Sequence, residues 1–206
     1  RNSTTIQSST FTNNCSERHS RMDEATKERI ASSTKGFDFV LHDLCLNEDW
    51  NEVSSCVKIF ETTAKVPRTG DLPLHLALSK GCPESVASSL IVAYPESTSI
   101  PSSHNQYPLL LAMGAENSKD MYSIDFLKSL INRESTRGLS TFGESALMTA
   151  ITKEFPVSLI SALLTANPGA CKEADEMDNL PIHEAVEKGN KEVVKIVYEA
   201  YPEAAA

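Results

Sequence analysis

A short segment that recurs at nearly constant spacing is the feature that most constrains how this chain can fold. Four copies end in alanine, and these alanines are separated by 35, 38 and 35 residues. The copies are DLPLHLA at 71–77, QYPLLLA at 106–112, ESALMTA at 144–150 and NLPIHEA at 179–185. A weaker copy, FVLH at 39–42, places His42 33 residues before His75. A period of this length predicts stacked structural units, each packed against its neighbours.

A second mark keeps the same period, so the repetition does not rest on one motif. A proline lies 19 or 20 residues after the fifth position of three copies, in AYPE at 93–96, ANPG at 166–169 and AYPE at 200–203. Because proline disfavours a helical conformation in the residue before it, each mark predicts the end of a helix.

Two short helices are predicted between the marks of each unit. The clearest second helix carries apolar residues at positions i, i+3, i+4 and i+7, namely Val193, Ile196, Val197 and Ala200. The residues expected to face water on this helix are Lys191, Glu192, Lys195 and Glu199. Pairs that favour chain reversal precede the four copies, at Gly70-Asp71, Asn105-Gln106, Gly143-Glu144 and Asp178-Asn179.

These marks carry a family resemblance. The segments LPLHLA at 72–77 and LPIHEA at 180–185 resemble the Thr-Pro-Leu-His-x-Ala signature of ankyrin repeats. The AYPE endings resemble the divergent ankyrin repeats that are frequent in diatom-type algae. The resemblance covers residues 37–206 and implies an all-α, ankyrin-like solenoid of about five stacked helix-turn-helix repeats. The expected units of this repeat domain, 36–206, are 37–69, 70–104, 105–142, 143–177 and 178–206.

The copies depart from the signature at its threonine, which is replaced by Leu72, Tyr107, Ser145 and Leu180. Where an apolar side chain replaces a hydrogen-bonding threonine, packing must hold the turn. We therefore expect stacked helix pairs rather than the long β-hairpin fingers of typical ankyrin repeats. An insertion within residues 114–122 would account for the 38-residue spacing.

Residues 1–35 differ in composition from the repeats. Twelve of the first 20 residues are Ser, Thr or Asn, which is typical of a flexible tail. Within this Ser/Thr-rich tail, residues 23–33 could form a short helix.

Charge and hydropathy exclude several classes of partner. A net charge of −9 argues against nucleic acid, because phosphate binding needs a clustered basic surface. The longest apolar run, 108–115, falls far short of the roughly 20 residues of a membrane-spanning helix. We therefore expect one or more proteins as partners, no nucleic acid and no membrane-spanning segment.

The cysteines bear on the compartment. They are odd in number, widely spread and never arranged as CxxC, at Cys15, Cys45, Cys56, Cys82 and Cys171. This usage predicts reduced thiols in an intracellular, reducing compartment, the cytoplasm first and an organelle as the alternative.

Three histidines, His42, His75 and His183, share one position of the repeat. Because packed helices lie about 10 Å apart, histidines of adjacent units cannot share a zinc ion. We expect each to form a hydrogen bond that stabilises its turn. Similarly, Cys45 is expected to pack in the core and residues 175–178 to form a solvated loop. The sequence contains no nucleophile elbow, phosphate loop or HExxH helix, so it predicts no catalytic residue, metal site or cofactor, and no enzyme.

The resemblance also implies where partners bind. In ankyrin-like proteins, partners contact the turn tips and the exposed side of the first helix. The residues at those places are Arg68, His104, Phe142 and Met177 at the tips, with Lys80, Lys153 and Lys188 on the first helices. The two apolar tip residues could equally pack onto an adjacent turn.

Two functions are consistent with such a surface. The first is a non-catalytic adaptor or scaffold that binds proteins through an ankyrin-like concave surface. The alternative is a permanent structural subunit of a larger multiprotein assembly, with the N-terminal tail ordered on a neighbour.

Overall fold

The computed structural model describes residues 40–59, 64–65, 67–115, 117–140 and 143–205. The expected tail, its short helix, Cys15 and Phe142 lie outside these residues. Throughout the described part the regular structure is helical, and pairing between extended segments is limited to two isolated bridges. The all-α part of the prediction is thus confirmed. The chain divides between Pro95 and Glu96 into two compact units, which we call the first and second unit.

The described residues of the first unit form two helix pairs. Its helices are α1 (Val40–Leu46), α2 (Trp50–Ile59), α3 (Pro73–Ser79) and α4 (Glu84–Ala93). Helix α1 packs on α2, and α3 packs on α4. The pairs then stack in register, because α1 also contacts α3 and α2 contacts α4.

Three further helix pairs form the second unit in the same way. Its helices are α5 (Pro108–Gly114), α6 (Ser118–Met121), α7 (Ile124–Ser129), α8 (Ala146–Thr152), α9 (Val157–Ala166), α10 (Pro181–Lys188) and α11 (Lys191–Ala200). The first helices of the pairs, α5, α8 and α10, pack in succession, as do the second helices α7, α9 and α11. The single turn α6 lies where the longer spacing predicted an insertion.

A proline, a side-chain acceptor or both fix the starts of the first helices α3, α5, α8 and α10. Proline occupies the first position of α3, α5 and α10, where a missing N–H costs little. The Leu72 N–H donates to His75 Nδ1 at 3.0 Å, and the Leu180 N–H donates to His183 Nδ1 at 3.1 Å. In α8 the direction is reversed, and Ser145 Oγ accepts from the Met148 N–H at 3.3 Å. The expectation that these histidines stabilise their turns is confirmed.

His42 plays a related part between repeats of the first unit. Its Nε2 donates to the Asp71 carbonyl at 2.9 Å, so α1 is tied to the turn that precedes α3. Burial lowers the pKa of the fully buried His42 imidazole, and the neutral ring can still donate this hydrogen bond.

Proline also ends the second helices as predicted. Helices α4, α9 and α11 each end two residues before a proline, and a 3-10 turn begins at that proline, which is Pro95, Pro168 or Pro202. The residues that precede these prolines have left the helical conformation: Tyr94, Asn167 and Tyr201 have φ of −146°, −140° and −147°. Because proline restricts the residue before it, all three helices end at the same distance from their proline, and each has 10 residues.

The apolar stripe of α11 is confirmed in its middle and wrong at its end. Val193 and Val197 are buried, and the four charged residues expected to face water are exposed. Ala200, however, is exposed, as is Ala166 at the same place in α9. Both are the last residue of their helix, where the chain turns away into the 3-10 segment and covers nothing further.

A residue that follows a second helix, three residues after the end of α7 and one residue after the ends of α4, α9 and α11, links its repeat to the preceding one. Asn132 Nδ2 donates to the Thr98 carbonyl at 3.1 Å, and Asn167 Nδ2 donates to the Thr136 carbonyl at 3.2 Å. Where this residue is tyrosine, a lysine lies over the ring instead. Lys65 Nζ is 5.6 Å from the Tyr94 ring centre, and Lys172 Nζ is 4.8 Å from that of Tyr201.

Candidate protein-binding surface

Four tight turns precede the first helices α3, α5, α8 and α10. A left-handed residue lies at the same place in each turn, with φ of 93° at Gly70, 59° at Asn105, 71° at Gly143 and 60° at Asp178. Two backbone hydrogen bonds close each turn. In the first turn both join residues 68 and 71; in the other three turns, the N–H of residue 102, 140 or 175 donates to the carbonyl four residues later and its carbonyl accepts from the N–H three residues later. Glycine, asparagine and aspartate are the residues that best tolerate this conformation. The predicted chain reversals are confirmed, and they are short turns rather than long hairpins.

A side-chain acceptor that sequence analysis missed holds three of these turns. Ser102 Oγ accepts from the Gln106 N–H at 3.1 Å, and Ser140 Oγ accepts from the Glu144 N–H at 3.2 Å. Asp175 Oδ1 accepts from the Asn179 N–H at 2.8 Å. The sequence signal for these acceptors is a Ser or Asp four residues before the start of the copies at 106, 144 and 179.

The Asp175 carboxylate is committed to its turn. Besides Asn179, it accepts from the Met177 N–H at 2.8 Å. Hydrogen bonds, first that from Asn179, hold the pKa of Asp175 below its usual value. Among the described residues, no group of three or more His, Cys, Asp or Glu side chains is arranged to hold a metal ion.

In the second unit, two neighbouring turns come together. A Cβ built on Gly143 would lie 2.9 Å from Glu176 Cγ, so the glycine leaves room for the Glu176 side chain. This contact sets the turn at 175–179 beside the turn at 140–144.

Met177 lies at the tip of the former turn and is 83% exposed, so the described neighbours do not cover it. His104, at the tip of the turn at 102–106, is also exposed. Phe142 falls outside the described residues, and its role stays a prediction.

The predicted lysines lie immediately after or at the end of the first helices. Lys153 Nζ donates to the Gly114 carbonyl at 2.8 Å, which links the end of α8 to the end of α5. Lys188 Nζ lies 3.5 Å from Glu184 Oε1 one turn earlier in α10. Positive charge is favourable at a helix C-terminus, where backbone carbonyls lack partners. Both lysines are therefore held in place while remaining at the surface.

The two predicted residues of the first unit are placed in the same way. Arg68 lies in the turn before α3 and forms an ion pair with the Asp43 carboxylate of α1. Lys80 follows α3 and is exposed.

Acidic groups dominate the electrostatics around the turn at 175–179. Glu144 Oε2 accepts from Thr149 Oγ1 at 3.3 Å. Burial raises the pKa of the Glu144 carboxyl; the hydrogen bond from Thr149 opposes this rise, and the carboxylates of Glu184 and Asp175 add to it. The surface thus offers an exposed apolar side chain within a field of negative charge.

The described cysteines do not form a nucleophilic site. Cys45, Cys56, Cys82 and Cys171 are reduced cysteines and all are buried. Burial raises the pKa of Cys45 to about 12, so this thiol stays protonated at neutral pH. The prediction that Cys45 packs in the core is confirmed.

Comparison with known proteins supports the sequence resemblance. Residues 111–205 match the family model for ankyrin repeats, in three copies. Ankyrin repeats are generally protein–protein interaction modules and are typically non-catalytic. No curated protein matches the chain at a significant level. None of the helices within the described residues has the length and apolar character of a membrane span.

Proposed function

Because residues 111–205 are ankyrin repeats, we propose that this chain is a non-catalytic module that binds other proteins, as an adaptor or scaffold. Its binding surface, which we call the turn surface, consists of tips and first-helix ends. In the second unit it comprises His104, Phe142, Met177, Lys153 and Lys188, and in the first unit Arg68 and Lys80. The single observation that carries the proposal is the 83% exposure of Met177 on a turn whose backbone is fixed.

A fixed turn makes an exposed methionine an efficient contact. The Asp175 carboxylate holds the N–H groups of Met177 and Asn179, so little backbone entropy is lost when a partner binds. Burying a methionine side chain contributes about 1.5–3 kcal/mol. The flexible thioether also adapts to partner pockets of different shape.

The charge around Met177 indicates the kind of partner segment. Four of the six residues in 173–178 are acidic, and the chain as a whole carries a net charge of −9. A matching partner segment has an apolar side chain or pocket flanked by lysine or arginine. Such complementarity mainly raises the association rate and is screened by salt. The same negative charge supports protein rather than nucleic acid as the partner, and the buried, reduced cysteines support a reducing compartment.

A pair of matched variants tests this function. The full chain and its variants are used to capture companions from the native source, and the captured proteins are compared by mass spectrometry. Met177→Gln keeps the size of the side chain and makes it polar. Val92→Thr does the same at an 80% exposed residue of α4, a second helix outside the turn surface.

We expect Met177→Gln to lose a companion that Val92→Thr retains, with both variants melting like the parent chain. Equal capture by all three proteins would contradict the proposed surface. A companion that stays at constant stoichiometry in high salt, whichever variant is used, would instead favour a permanent assembly subunit.

A further inference from the structure

A groove of about 400 Å³ lies between the last two helix pairs of the second unit. It is formed where the first helices α8 and α10 end and the second helices α9 and α11 begin. The tight turns at 140–144 and 175–179 precede the starts of α8 and α10, so the groove lies at the opposite ends of these helices. Its apolar lining residues are buried, namely Ile151, Phe155, Ile160 and Val193.

The rim of the groove is polar and open to solvent. Glu154, Gly189 and Asn190 line the groove and are exposed. An apolar floor with a few polar groups at its edge is the usual composition of a binding site of this size. Because the rim is exposed, the groove suits a chain segment that lies along it rather than a molecule enclosed within it.

Glu154 supplies the unbalanced charge of this groove. Its carboxylate forms no hydrogen bond or ion pair with any residue that the structure describes. The other charged lining residue, Lys188, lies 3.5 Å from Glu184 Oε1, so its charge is balanced within α10. Lys153 precedes Glu154 in the chain but donates to the Gly114 carbonyl of the preceding repeat. A ligand group that complements the groove is therefore a cation.

The backbone at Glu154 is strained. The ninth residue counted from the start of the first helix is left-handed in three repeats, with φ of 67° at Gly81, 53° at Glu154 and 71° at Gly189. Glycine adopts this conformation freely, whereas the Cβ of glutamate opposes it. Strained residues are concentrated at binding sites, so a glutamate here fits a role in binding better than a role in closing the turn.

We propose that this groove binds a segment of a partner protein in which a lysine or arginine adjoins an apolar residue. The apolar side chain packs against Ile160 and Val193, and the basic side chain pairs with the Glu154 carboxylate. The net charge of −9 favours the approach of such a segment. This inference rests on the proposed function, because the occupant belongs to a bound protein. It adds a second contact, at the opposite end of α10 from the turn that carries Met177.

A peptide titration followed by methyl NMR of the full chain tests the proposal. The probe is the peptide acetyl-Leu-Lys-Leu-amide, and the reference is the same peptide with uncharged norleucine in place of lysine. We expect the lysine peptide to shift the methyl signals of Ile151, Ile160 and Val193. At low salt it should bind about threefold to fivefold more tightly than the norleucine peptide, as a surface ion pair allows.

Three variants separate the role of Glu154 from general effects of charge and stability. Glu154→Gln keeps the size and the strained backbone, and it should remove the preference for the lysine peptide. Glu154→Gly should do the same while raising the melting temperature, because glycine relieves the strain. Glu187→Gln removes the same charge from an exposed residue of α10 that does not line the groove, and it should leave the preference unchanged.

Three results would overturn the proposal. The first is a lysine peptide that leaves the groove methyl signals unshifted at millimolar concentration. The second is equally tight binding of the norleucine peptide, and the third is an equal loss of preference in Glu187→Gln and Glu154→Gln. No partner protein is present in the titration, so its failure leaves the capture experiment on Met177 unaffected. Failure of that capture experiment likewise leaves peptide binding in the groove to be judged by itself.

Discussion

Two truncations within α10 provide the sharpest test of the assigned faces. Ile182 is 6% exposed and Val186 is 60% exposed, and both are β-branched residues of the same helix. Ile182→Ala removes three carbons at about 0.8 kcal/mol each, or about 2.4 kcal/mol. The cavity left behind adds to this, so we expect a loss of about 2–5 kcal/mol.

Val186→Ala removes two carbons from a side chain that is mostly in water. Scaled by the buried fraction, the lost transfer free energy is about 0.6 kcal/mol. Alanine forms helix better than valine by about 0.5 kcal/mol, which offsets most of this loss. The stability of the Val186→Ala variant should therefore equal that of the parent within about 0.5 kcal/mol.

Urea unfolding followed by far-UV circular dichroism measures both changes. The slopes of the transitions must match that of the parent chain, since repeat arrays can lose cooperativity and the midpoints are then not comparable. If Val186→Ala proves as costly as Ile182→Ala, residue 186 is buried in solution. The faces assigned to α10 would then be wrong.

Four further predictions follow from single features. Because burial lowers the pKa of His42, the unfolded chain binds a proton at His42 at a higher pH than the folded chain does. The free energy of unfolding should therefore fall as the pH drops below about 6.5. His42→Gln keeps a hydrogen-bond donor and should flatten the fall in melting temperature between pH 7 and 5. Gly138→Ala should destabilise by about 1–3 kcal/mol in urea unfolding, because its Cβ would lie 2.4 Å from the Tyr107 ring. Met177→Ala should keep the free energy of unfolding within about 1 kcal/mol while weakening a captured partner in an affinity titration. Deleting residues 1–20 should leave the melting temperature of the isolated chain nearly unchanged.

Each of these has a result that counts against it. An unaltered pH profile for His42→Gln would show that another group causes the loss at low pH. A stable Gly138→Ala chain would mean that the Tyr107 ring moves aside at little cost. Strong destabilisation by Met177→Ala, or by removal of the first 20 residues, would place those residues in the core.

Local chemistry explains what could be predicted from the sequence. The proline marks fix helix ends through the conformation of one preceding residue, and the Gly, Asn and Asp positions fix turns through a left-handed φ. Both effects act within a few residues, so they are readable in a single repeat. The histidine hydrogen bonds at His75 and His183 are equally local.

Features that depend on a neighbour were harder to read. Ala200 and Ala166 belong to a correct apolar period, yet they lie beyond the last covered turn of their helices. Val186 looks like its buried counterpart Ile151 in sequence and differs only in what lies beside it. For the turn surface, the exposure of Met177 follows from the packing of adjacent turns, which the repeat period alone does not specify.

The links after the second helices bear on how freely such repeats can be shuffled. An asparagine at this position needs a backbone carbonyl on the preceding repeat, whereas a tyrosine is matched by a lysine there. Suppose that the last helix pair replaced the pair α8–α9, directly after the turn that contains Thr136. The Tyr201 ring would then lie against the Thr136 carbonyl, which would lose its present donor, Asn167. Lys172 would lose its aromatic partner in the same exchange. These repeats are therefore not interchangeable, because the residue after the second helix needs a specific group on the preceding repeat. A carbonyl suits asparagine, and a lysine suits tyrosine.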